Sequence, residues 1–362
     1  MNMNIASLIS GGVDSSVALY LLKEQGYQPT AYYIKVWMED DFGECPWQED
    51  VDYVFGVCKL LGVKVEIVPL QREYWDRVIA YTLREIKAGR TPNPDMMCNR
   101  LVKFGAFYEK FQGEFDRIAT GHYAKTIVDE LGRTHLMLCK DRKKDQTYFL
   151  SQMTYDQVAR AMFPLAEMTK SEVRALAKKL NFPNARRPDS QGICFLGKIN
   201  FRDFLKKYVG ERPGKIIEKE TGKILGEHKG YWFYTIGQRT GLGLGGGPWF
   251  VVEKDTSENI IYVSHGYEPQ ALYKDHIQLA DFNWINELPI GQQEETASEK
   301  DRIIRAEIQF KIRHTPELSD GILEGPAKSP VIKPARPVAG VAKGQFGVIY
   351  QNEECFGGGV IC

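Results

Sequence analysis

The segment Ser10-Gly-Gly-Val-Asp-Ser-Ser16 stands between a short apolar run and a stretch rich in Val17, Ala18, Leu19, Leu21 and Leu22. Two glycines let the backbone turn tightly, and the amides and hydroxyls that follow face the start of a helix, where the dipole favours an anion. That composition reads as a phosphate cradle in preference to a bare strand-to-helix turn. The lysine of G-x-x-x-x-G-K-[ST] is missing, which disfavours ordinary γ-phosphate hydrolysis. Asp14, just after the glycine turn, is placed for Mg2+ or nucleotide work.

Two cysteines stand out as thiols in loops. Cys98 follows Pro92-Asn-Pro94, whose prolines predict an extended loop, with Asp95 three residues before the sulfur. Cys194 follows Arg186-Arg-Pro-Asp-Ser-Gln-Gly192, whose arginines would favour a thiolate if they point at it. Cys58 in Val57-Cys-Lys-Leu-Leu61 and Cys139 in Leu136-Met-Leu-Cys139 read as core fillers, and Cys355 and Cys362 as structural or terminal, while Cys45 is unassigned. Gly121-His122 follows an apolar run ending at Thr120, the carboxyl strand end where open α/β sheets bind ligands. A lone histidine there is by itself more often structural.

The elements that must position these residues alternate. Ile5–Ile9, Ala31–Val36, Val63–Val68 and Arg117–Thr120 read as strands, with helical patterns over Ser15–Gln25, Asp50–Leu61 and Glu73–Lys87 between them. The expectation is an α/β domain with a parallel sheet covered on both faces. Thr169-Lys-Ser-Glu172 is a capping-box pattern that opens a helix over Val173–Leu180. After about Phe201 short β-type runs and glycine pairs take over: a hairpin within Lys215–Leu225 turning near Thr221-Gly222, and Trp249–Glu253 answered by Ile260–Val263. From about Asp275 a last β-rich block carries Arg305–Ile312, Val331–Pro337 and Phe346–Tyr350. The expected division is 1–200, 201–272 and 273–362.

The chain's 362 residues are long enough for two or three domains. With 43% hydrophobic and 26% charged residues, wholesale disorder and fibrous repeats are excluded. Lys plus Arg and Asp plus Glu are 47 each, so any nucleic-acid face must be local. No apolar run spans a membrane, and the start lacks a basic region ahead of an apolar stretch, so a soluble cytoplasmic protein is expected. Seven cysteines with no Cys-x-x-Cys spacing argue against a disulfide framework or a zinc ribbon.

Ser10–Ser16 resembles the signature loop of ATP pyrophosphatases, which adenylate a substrate oxygen and release pyrophosphate. Gly89-Arg-Thr-Pro-Asn-Pro-Asp-Met-Met-Cys-Asn99, Ala119-Thr-Gly-His-Tyr123, Lys144-Asp-Gln-Thr-Tyr-Phe149, Asp189-Ser-Gln-Gly-Ile-Cys-Phe195, Thr235-Ile-Gly-Gln-Arg-Thr-Gly-Leu-Gly243 and Cys355-Phe-Gly-Gly-Gly359 extend the likeness. Together they look like the tRNA-specific 2-thiouridylase family from end to end. The resemblance implies a pyrophosphatase-type α/β domain, a small central domain and a C-terminal β-barrel contacting tRNA. It implies ATP-dependent 2-thiolation of the wobble uridine in tRNA of the Lys, Glu and Gln type, through an O2-adenylate and a cysteine persulfide, releasing AMP and pyrophosphate.

By the same likeness Cys194 carries the persulfide, Cys98 is the catalytic nucleophile, and Asp95 is a general acid or base, with a capping or loop-closing role as its structural alternative. Two thiols suit this chemistry, because cleaving a persulfide S–S bond needs an electron pair that a second thiolate supplies by forming a disulfide. The nucleotide would meet Leu8, Ile9, Ser10, Gly11, Gly12, Val13, Asp14, Ser15, Ile34 and Gly121. The tRNA would meet Asn93, Pro94, Asp95, His122, Lys144, Asp145, Gln146, Lys311, Ile312 and Gln345. Two departures stand out: Leu8 replaces a usual Gly, and Lys311-Ile312 replaces an Arg-Tyr pair. Basic stretches at Lys140–Gln146 and Lys198–Lys207 supply local charge, the second equally well read as a solvated helix face. ATP and Mg2+ are the implied cofactors, and a sulfur-relay protein or cysteine desulfurase is the implied donor. An iron–sulfur cluster on Asp95, Cys98 and Cys194 is conceivable and not expected. Rival readings are a nucleotide-sensing RNA-binding protein that has lost thiolation, and an adenylating amidotransferase or ligase, which has no use for two loop thiols.

Overall fold

The computed structural model describes residues 3–36, 47–189, 200–266, 269–286, 288–289, 291–294 and 302–362. Its N-terminal sheet is built from β1 (Ile5–Leu8), β2 (Thr30–Lys35), β3 (Val65–Pro69), β4 (Arg117–Ala119) and β7 (Ala161–Met162), in the order β3-β2-β1-β4-β7. Every pairing in it is parallel. The order reverses at β1, with β2 on one side and β4 on the other, so the crevice beyond the carboxyl ends of β1 and β4 is the topological switch point where such sheets bind ligands. α1 (Val13–Glu24) follows β1 and α2 (Trp47–Leu61) follows β2. Val17, Ala18 and Leu19 are buried with Val54, Val57 and Cys58, so the apolar side of each helix that the sequence pattern marked packs on the sheet.

The expected elements appear, with ends that coincide or shift by up to three residues. One expectation is corrected. Pro92–Cys98 is not an extended loop throughout: Pro94–Cys98 is helical, with the Asn93 side chain accepting a bond from the Met96 amide at 3.2 Å. Proline breaks a helix interior but fits its first turn, where no intrahelical partner for its missing N–H is needed.

The central block is a four-stranded sheet in the order 249–255, 260–265, 214–218, 224–228, which contains the expected hairpin, with Gly222 at φ +71° in its turn, and pairs the run from Trp249 with the run from Ile260. The C-terminal block closes into a six-stranded barrel in which 277–284, 331–334, 319–326, 303–311, 346–351 and 354–361 pair in turn and the last returns to the first. The sequence pattern does not show a hairpin, β5 (Lys125–Val128) and β6 (Thr134–Met137), which lies within the N-terminal block yet joins the barrel through Met137 opposite Glu354. One apolar core therefore runs from Leu136, Leu138 and Tyr148 into Phe346, Val348 and Tyr350.

At that seam His135 lies with Nδ1 2.8 Å from Glu354 of the barrel and Nε2 3.2 Å from Asp129 of the hairpin, with Arg133 also on Asp129 and the Asn286 amide 3.3 Å away. Burial lowers the histidine's pKa, but the bonds to Glu354 and Asp129 outweigh it and the net shift is upward. A raised pKa means stabilisation that is complete below the ordinary value near 6.5 and fades as pH rises through the raised one. The melting temperature of the parent should therefore exceed that of His135→Gln by more at about pH 6 than at about pH 9. A gap independent of pH would remove His135 from the charge balance of the seam.

Candidate nucleotide and thiol site

Beyond β1 the chain enters the loop through Ile9, whose amide donates to the Tyr32 carbonyl at 2.9 Å. Gly11 then adopts φ +78°, and a Cβ there would stand 2.7 Å from the Asp50 carbonyl oxygen, so two constraints require glycine. Its own carbonyl is held by Asn184 Nδ2 at 2.8 Å and Arg187 Nη1 at 3.1 Å. Ser10 Oγ lies 3.3 Å from Ser15 Oγ, and Ser15 and Ser16 return their hydroxyls to the Gly12 carbonyl. The hydroxyls therefore fold the loop around the mouth of α1.

Gly121 completes the cradle from β4. A Cβ on it would fall 2.6 Å from the Ser15 amide nitrogen and 2.8 Å from the Asp14 carbonyl carbon, so backbone packs on backbone across the switch point. Ile34, half-buried near the carboxyl end of β2, borders the same edge of the sheet. His122 shares a hydrogen bond with Thr120 Oγ1 at 2.7 Å; burial, and then the charge of Lys103, hold its pKa well below the ordinary value, so it is a neutral imidazole at pH 7.

An ion-pair chain crosses the loop. Asp14 receives the Tyr123 hydroxyl at 3.0 Å and the Lys170 ammonium at 2.7 and 2.8 Å. Lys170 also pairs with Asp189 at 2.8 Å, Lys144 reaches Asp189 at 3.2 Å, and Arg174 pairs with it as well. Burial works against the Asp189 carboxylate, yet Lys170, Lys144 and Arg174 hold its pKa down to about 2. Lys170, Asp189, Tyr123 and Asn184 were not singled out from the sequence as site residues. The available signal was a lysine at the first position of a capped helix, against the dipole.

The thiol side is organised by the helix Pro94–Cys98. Cys98 is 4% exposed and shares its apolar core with Leu8. Asn93 and Asp95 border a cavity of about 250 Å3 whose other wall comes from the central block, through Trp232, Tyr234 and Lys254. Burial brings the Lys254 ammonium down to about 8, and it donates to the Tyr234 carbonyl at 3.3 Å. Gln345 donates from the barrel to the carbonyls of Thr91 and Pro92 at 3.1 and 3.0 Å. Cys194 lies outside the described residues. Arg187, one of the arginines considered as its activators, is engaged by Gly11 and Asp50.

The residues expected to meet RNA divide. Lys144 is exposed, and Gln146 is half-buried, with its side-chain oxygen accepting from the Tyr123 amide at 2.9 Å. Asp145 is 2% exposed and accepts the amides of Cys139 and Thr147 at 2.9 and 3.1 Å. Lys311 is 3% exposed with its ammonium 5.6 Å from the Tyr350 ring centre, and Ile312 beside it is half-buried. These placements give Asp145 and Lys311 internal work in this structure. Cys58, Cys139 and Cys355 are buried, as expected of core fillers and a structural thiol.

Residues 3–198 match the tRNA methyl transferase HUP domain, 202–265 the tRNA methyl transferase PRC-barrel domain, and 274–361 the aminomethyltransferase beta-barrel domain. The tRNA-specific 2-thiouridylase MnmA of Parabacteroides distasonis is 52% identical over 363 residues, covering 99% of each chain. That of Porphyromonas gingivalis is 48% identical with the same coverage. The chain belongs to the tRNA-specific 2-thiouridylase family. Methyl transfer is named in the domain descriptions, whereas the full-length relatives are named as thiouridylases. A solved 4-thiouridine synthetase–RNA complex with bound ATP is a more distant likeness, 16% identical over 57% of this chain and 50% of that one, with a TM-score of 0.36.

Within this family architecture the Gly121 contact has a direct test. Gly121→Ala should lower ATP affinity by about tenfold or more while the protein still folds, because no rotamer can move a Cβ away from the α1 backbone. Calorimetric titration beside a melting curve checks it, and parental affinity would show that the two backbones separate at little cost.

Proposed function

We propose that the protein activates the wobble uridine of tRNA with ATP and replaces its O2 by sulfur. The supporting observation is that one apolar core holds both Leu8, which leads into the phosphate cradle, and Cys98, at the end of the Asn93-capped helix. Nucleotide activation and thiol chemistry then share a scaffold. The uracil O2 attacks the α-phosphorus of ATP and pyrophosphate leaves; the cradle amides and the α1 dipole stabilise the phosphates. A terminal persulfide sulfur carried by Cys194 adds to C2 and AMP departs with the former carbonyl oxygen. The Cys98 thiolate attacks Cys194 Sγ, leaving sulfur on C2 and a Cys98–Cys194 disulfide that an external reductant reopens.

Asp95, on the wall of the cavity beside Asn93, is assigned the proton transfers. A divalent cation arriving with ATP would find the Asp14 carboxylate at the loop and complete its shell with phosphate oxygens. Among the described residues no cluster of three metal-ligating side chains occurs. Exposed Lys144 and half-buried Gln146 are assigned to tRNA, with His122 a neutral hydrogen-bonding partner. No helix among the described residues is long and apolar enough to cross a membrane. The sulfur donor is assigned to a persulfide-bearing relay protein or desulfurase.

Mass spectrometry of tRNA nucleosides from cells lacking the protein tests the reading: 2-thiouridine should disappear, and an unchanged level would overturn it. With purified components, Asp14→Ala should abolish tRNA-dependent pyrophosphate release in a folded protein. Cys194→Ser should keep adenylation and lose thiolation, since a hydroxyl carries no persulfide sulfur. Thiolation surviving in Cys194→Ser would move the carrier to another cysteine.

A further inference from the structure

The loop Ser10–Ser16 contains no lysine or arginine, although the pyrophosphate that leaves it is strongly anionic and phosphoryl chemistry depends on cations placed at the departing oxygens. The fold brings one there from 156 residues away. Lys170 Nζ sits 2.7 and 2.8 Å from the two Asp14 oxygens, on a side chain only 13% exposed. Among the described residues the neighbouring cations are committed elsewhere: Arg187 to Gly11 and Asp50, Arg174 to Asp189 and the Arg187 carbonyl, Lys140 to Glu172.

The pairing is asymmetric in a way that lets Lys170 leave Asp14. Asp189 keeps Lys144 and Arg174 if Lys170 departs, and Asp14 keeps the Tyr123 hydroxyl. The position is also locally unfavourable. Lys170 is the first residue of the helix Lys170–Lys179, where the dipole repels a cation, and the Thr169–Glu172 capping box forms without needing a lysine between its ends. A residue that breaks a local rule with no local return marks a functional demand.

We propose that Lys170 is the phosphate ligand the loop lacks: on nucleotide binding its ammonium passes from Asp14 to the β- and γ-phosphoryl oxygens, and it stabilises the pyrophosphate as it leaves. The Asp14 carboxylate is then free for the accompanying cation. This rests on the reading of the loop as an ATP site given above. It assigns a role to a residue outside both the loop and the thiol segments.

The test compares a triphosphate with a monophosphate. Calorimetric affinities for α,β-methylene-ATP and for AMP, each with Mg2+, are measured on the full chain for the parent, Lys170→Met and Lys170→Arg, with a melting curve for each. Lys170→Met should lose about tenfold or more in affinity for the triphosphate while AMP affinity stays within about twofold, and Lys170→Arg should recover most of the loss. Equal losses for both nucleotides, or none, would make Lys170 a purely structural tie and overturn the proposal. If Lys170→Met fails to fold, Lys170→Gln is read by the same criteria. A parent that does not prefer the triphosphate over AMP would overturn the ATP reading itself, so the two failures are told apart.

Discussion

The candidate nucleotide site depends on one backbone contact, that of Gly121 against the first turn of α1. It follows from pairing: β1 and β4 run parallel with Ser7 opposite Ala119, so both strands end level and the residues just after them meet beyond the sheet edge. No side chain can intervene, because a Cβ on Gly121 would already overlap the Ser15 amide. Gly11 does the same on the other side of the loop, its positive φ turning the chain against Asp50. The cradle is therefore shaped by backbone and by small hydroxyls, and its charge must come from elsewhere in the fold. That division explains why Lys170, rather than a loop lysine, stands at Asp14.

The parts of this arrangement legible in the sequence are those whose cause is local. Ser10–Ser16 declares itself because glycines, hydroxyls and a following apolar helix lie within one turn of one another, and β1, β2, β3 and β4 because short apolar runs alternate with helical periods. The helix Pro94–Cys98 escapes the sequence pattern because proline alone reads as a breaker, whereas Asn93 as cap turns Pro94 into a helix starter. Lys170 is invisible in the sequence as the partner of Asp14 because that ion pair joins residues 156 positions apart, and no periodicity encodes such a meeting; Asp189 enters only as a second partner of Lys170. The resemblance names Lys311 and Asp145 as tRNA contacts, and the burial of both side chains in this structure is set by packing that no local pattern encodes.

The barrel's contribution follows from the same non-local packing. Its loop at Lys343–Gln345 grips the segment before the Pro94 helix: the Thr91 amide donates to the Lys343 carbonyl at 2.7 Å, and Gln345 caps the carbonyls of Thr91 and Pro92. Gly344 must be small for this, since a Cβ would reach 2.8 Å from Arg90 Cβ. Pro92 has no amide hydrogen and residues 91–93 belong to no strand, so without the barrel these carbonyls would have only water. From the other side Tyr231 of the central block donates its hydroxyl to the Lys87 carbonyl, and a Cβ on Gly89 would collide with Thr256. The stretch that carries Asn93, Asp95 and Cys98 is thus held by all three blocks at once. The two β-rich blocks therefore fix the backbone that carries Cys98 through contacts to its main chain.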